Sequence, residues 1–130
     1  MTIARRVQQL ERAEDQRLAA AIADFGASWQ RHMADPATTA RRDAGLAAAG
    51  YRGTTIDEFR AWLGTVQTPA ERARSRAFAA AVVALTAHPA DHAALRGALG
   101  DLTPHLGLAA PAAPVLIIRT LQATIEADPR

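Results

Sequence analysis

Apolar residues recur at helical intervals through most of this chain. Between residues 3 and 33 they fall at Ile3, Val7, Leu10, Leu18, Ile22, Phe25, Trp29 and Met33. Steps of three or four place them along one side of a helix, with Glu14 standing where one apolar position is missing. Unbroken, that helix spans about 45 Å, more than a domain of this size usually needs. Residues 4–17 are dense in Arg, Glu, Asp and Gln, so residues 1–16 are expected to project as a free helix or to form a dimer contact. Gly26 offers a place for a kink or a division.

The pattern then restarts several times. Asp35-Pro36 sets an N-cap before a proline at the first helical position, opening a weakly amphipathic helix to about Ala49. Gly50-Tyr51-Arg52-Gly53 reads as a turn. Thr55-Ile-Asp-Glu58 reads as a capping box, with Ile56, Phe59, Trp62 and Leu63 on one face and Gly64 as the end. Thr68-Pro69-Ala-Glu71 is the clearest helix start in the chain. From Ala77 to Ala87 only Thr86 is polar, and a helix apolar all round is expected to be buried.

His88-Pro89 repeats the boundary, with Asp91 expected in the first turn of a helix carrying Leu95 and Leu99. Thr103-Pro104 and Gly107 predict a tight turn, and a Pro-Ala linker leads to Val115–Ile125. Ile118, Leu121 and Ile125 share a helical face there, with Ile117 beside them. The branched run would also suit a strand, but no second strand is available to pair with it. The fold expected is a single all-α domain over 1–130, a compact orthogonal array of five to six helices around a central buried helix at about 69–87.

Composition agrees with a helical globule. Alanine dominates an apolar content of 49%, and alanine is the best helix former and a poor strand former. Every basic residue is Arg, which explains a pI near 10.3 without implying strong basicity, since the net charge is only +2. Such a balance disfavours nucleic acid as a partner. The absence of cysteine excludes disulfides and thiolate chemistry. No signal-peptide pattern opens the chain, and the apolar runs 77–87 and 106–118 are too short to span a bilayer. A cytoplasmic, bacterial protein with no membrane association is the expectation.

Candidate chemistry is sparse. His88, Asp91 and His92 are the candidate ligands for a divalent metal, since imidazole and carboxylate suit such ions and residues four apart share a helix face. His105 is the candidate haem ligand: it sits between a leucine-rich run from Leu95 and the apolar helix after Pro114. That stretch faintly resembles the region around the proximal histidine of globins, where a ligand histidine precedes a turn and an apolar helix. One helix's length follows His105 where globins carry two, and Pro104 precedes it, so no family is assigned.

Residues 41–63 can be drawn as a DNA-binding helix-turn-helix with Gly50 in the turn, Ile56 and Phe59 in its core, and Arg41, Arg42 and Arg52 as phosphate contacts. Asp57 and Glu58 then open the recognition helix, where bases and phosphates would want the opposite charge. Ser28 and Ser75 lie in no nucleophile elbow, and no phosphate loop or dinucleotide fingerprint occurs. The aromatic pairs Phe25/Trp29 and Phe59/Trp62 are expected to meet in the core with Phe78, or to line a cavity for a small apolar ligand.

The function expected is therefore a non-catalytic helical binding or protein-interaction module, self-associating or engaging a protein partner and requiring no cofactor. A haem or metal protein and a helix-turn-helix protein are the alternatives.

Overall fold

The computed structural model describes residues 2–127 and is all-helical over them. Six α-helices run α1 Ile3–Ala34, α2 Pro36–Ala48, α3 Ile56–Val66, α4 Pro69–Thr86, α5 His92–Leu102 and α6 Pro114–Glu126, with a 3₁₀ turn at Thr103–Leu106 after α5. No strand occurs among the described residues, so the branched run in α6 is helical. No helix among them is long and apolar enough to cross a membrane.

Side-chain caps set most of the starts. The Asp35 carboxylate accepts the Ala37 N–H at 2.9 Å, and Pro36 fills the next position. At α4 the capping box is complete: Thr68 Oγ1 accepts the Glu71 N–H, and Glu71 Oε1 accepts the Thr68 N–H. At α3 it is only half formed. Thr55 Oγ1 accepts the Glu58 N–H but donates its own proton to Glu58 Oε1, so the carboxylate turns to the hydroxyl rather than to the backbone.

α5 starts later than His88-Pro89 implied. Asp91 is its N-cap, accepting the Ala94 N–H at 3.1 Å, and residues 88–90 form a turn. A carboxylate that can satisfy a free N–H outweighs a proline's preference for the first helical position. Gly50 and Gly107 have φ of 97° and 73°. After α2 this lets the Tyr51 N–H reach back to the Leu46 carbonyl, closing the helix end.

The core is formed by four helices. Leu18, Ala21, Ile22 and Phe25 of α1 meet Ile117, Ile118 and Leu121 of α6, with Leu95, Leu99 and Leu102 of α5 and Ala77, Ala81, Ala84 and Leu85 of α4. α1 is continuous through Gly26, so no kink or division occurs there. α6 lies along it in the same direction. Asp24 pairs with Arg119 at 2.7 Å, and further on Ser28 bonds Glu126 at 2.8 Å.

Two expectations change in detail. α4 buries a stripe rather than its whole circumference, and Val83 is 52% exposed. Alanine-rich helices tolerate this because alanine contributes helix propensity without much apolar surface. The aromatic pairs do not meet. Phe25 stacks on Trp29 with ring centroids 6.4 Å apart, whereas Phe59 and Trp62 gather around Tyr51 at 5.5 and 5.2 Å. α3 has no buried residue, whereas Phe78 packs against the core as expected, with the Arg74 guanidinium over its ring.

Candidate functional site

The most distinctive surface is the first third of α1. Thr2 caps it, its Oγ1 accepting the Arg5 N–H. Residues 2–12 are all exposed, and the first buried residue is Leu18. The domain body begins to meet α1 at residues 14–18, where a cleft of about 310 Å³ is lined by Glu14, Asp15 and Leu18 together with Arg96, Pro114 and Val115. Residues 3–13 thus form an arm about 16 Å long beyond the body.

The arm carries an apolar seam with no partner in the fold. Ile3, Val7 and Leu10 are 82%, 45% and 63% exposed. Continued along the helix, that spacing passes Glu14 and reaches the buried Leu18, Ala21, Phe25 and Ser28. One stripe therefore serves as core below and as exposed surface above. Exposed large apolar residues are ordinary when scattered; here three are aligned on a helix face continuous with a packed one.

A second cleft, polar and about 250 Å³, lies where the end of α1 meets α2 and α6. Ser28, Arg31, His32, Asp35, Arg41 and Glu126 line it. Ser28 Oγ and Gln122 Nε2 both donate to Glu126 Oε1, at 2.8 and 3.1 Å. These two bonds, Gln122's first, hold the Glu126 carboxyl below its ordinary value; desolvation pushes the other way, and the Arg31 charge adds the weakest downward pull. Two guanidinium groups face two carboxylates, one of which caps α2, so formal charge cancels across this cleft. It ties three helix ends together.

The sequence-derived candidates lie elsewhere. His88 is in the turn after α4, Asp91 caps α5 and His92 is its first residue, all exposed. With His88 outside the helix, the four-residue spacing to His92 does not put both on one helix face. No group of three His, Asp or Glu side chains among the described residues could hold a metal ion. His105 is half-buried in the 3₁₀ turn, while Leu106 and Leu108 pack against the core.

The helix-turn-helix drawn over 41–63 takes a different form. Seven residues, 49–55, separate α2 from α3, where that motif uses about three or four. Ile56, its supposed core residue, is 63% exposed. The Ser28–Gln122–Glu126 cluster and the cleft at the arm's root had no signal in the sequence, because each joins residues far apart in the chain. No protein-family model matches the chain, and no curated protein or solved structure shows significant similarity to it.

Proposed function

We propose that this protein is a non-catalytic helical interaction module, binding a partner protein through the projecting arm of α1. The observation that carries this reading is the seam of Ile3, Val7 and Leu10, exposed on a helix whose same face is core eight residues further on. Such side chains bury area but make and break no bonds, which favours docking over chemistry. The partner that suits the seam is another amphipathic helix, whose apolar residues fit between these at three- and four-residue steps.

Full burial of a Val, Leu or Ile side chain contributes roughly 1.5–3 kcal/mol. Three of them, less the cost of association, give a modest affinity that depends on concentration. Val7→Asp/Leu10→Asp removes the seam without touching the core. The variant is expected to keep its helical circular dichroism and melting temperature while losing association. Light scattering reads self-association of the purified chain, and differential capture from source-cell extract reads a foreign partner. Wild-type protein that binds neither itself nor anything the variant loses would refute the module.

A further inference from the structure

On the footing that the arm is the interaction surface, we propose that its occupant is the arm of a second copy of this chain, lying antiparallel. The direction follows from where the body sits. The seam faces the side on which α6 packs, because Ile3, Val7 and Leu10 continue the stripe of Leu18, Ala21 and Phe25. A second copy laid parallel would turn its own seam toward the first, and its body would fall in the volume the first body fills. A parallel pair would set Arg6 beside the partner's Glu11, but the bodies forbid it. Reversed, the two bodies stand at opposite ends and only the arms overlap.

Charge along the arm favours the same direction. Arg5 and Arg6 lie toward its tip, whereas Glu11, Glu14 and Asp15, with Arg12 among them, lie toward its root. Antiparallel overlap sets the basic tip of each arm beside the acidic root of the other, whereas parallel overlap sets tip beside tip and root beside root, with Arg6–Glu11 its one pair of opposite sign. The step pattern then places Val7 against the partner's Leu10 and Ile3 against the partner's Glu14. Each tip ends at the cleft lined by Leu18, Pro114 and Val115 on the other copy. This is an isologous, closed contact, so it gives dimers and not filaments.

The chain has no cysteine, so single-cysteine variants report the geometry without background. Ile3→Cys and Glu14→Cys, both on the exposed part of α1, are prepared separately, mixed and oxidised at concentrations where light scattering shows association. Adjacent Cβ atoms bridge readily, whereas the two copies of residue 3 would stand about 16 Å apart in the antiparallel pair. The mixture is expected to give covalent dimer at roughly ten times the yield of either variant alone. Cross-linking of Ile3→Cys with itself would show a parallel pair and overturn the direction, leaving the arm's interaction role intact. No cross-link in any sample would overturn the second copy as occupant, while capture of a foreign partner through the same seam would still uphold the module.

Discussion

Glu126 shows how much one side chain can join. It takes two hydrogen bonds on a single carboxylate oxygen, one from Ser28 a full 98 residues away. The carboxyl is held below its ordinary pKa of 4.5, so the charged form is favoured in the fold. Its contribution to stability is thus complete above the ordinary value and is lost as pH falls below 4.5 through the depressed one. Ser28→Ala removes one of the two donors. The Glu126 carboxyl, followed by NMR titration, is expected to move up toward its ordinary value, and the loss of stability in acid becomes shallower. An unmoved titration would mean that Gln122 and Arg31 alone hold it. None of this was visible from the sequence, where a serine in a helix and a glutamate near the end of another carry no mark of each other.

Helices were the most legible elements, because the signals for a helix are local. The caps at Asp35 and Thr68 and the three- and four-residue steps of α1 identify those helices from neighbouring residues alone. The failures were also local, where two signals competed. His88-Pro89 and Asp91 both mark a start, and the carboxylate with a backbone N–H to satisfy determined it. The apolar run of α4 predicts burial all round, because hydropathy takes no account of side-chain size. Its buried stripe is largely alanine, and alanine covers little area on whichever side it lies. Gly26 supplies a test at this scale. A Cβ built there meets nothing within 4 Å, and the helix runs through it unbroken. Gly26→Ala is therefore expected to stabilise the domain by about 0.5–1 kcal/mol. A thermal melt should rise by a few degrees; a fall would show that α1 needs the glycine.

At the scale of the molecule, helical periodicity shows which face of a helix is apolar but not what that face meets. Phe25/Trp29 and Phe59/Trp62 are equally good apolar pairs in sequence, yet one joins the core and the other closes on Tyr51 beside α2. α3 therefore hangs on a local aromatic cluster with no buried residue of its own. Its amides are expected to exchange with deuterium faster than those of α5 and of residues 18–28, since local opening there exposes little apolar surface. Equal protection would show α3 to be part of the cooperative core.

The uninterrupted path of α1 couples the arm to the body in a particular way. A charged segment of eleven residues, cut from its context, is too short to hold a helix in water. The arm is helical because the packed length below it has already met the cost of nucleation, leaving only propagation upward. Its tip therefore melts progressively as temperature rises, while the four-helix core unfolds cooperatively and later. Heat would shorten the seam one turn at a time from Ile3 downward, so binding would fade well before the domain itself came apart.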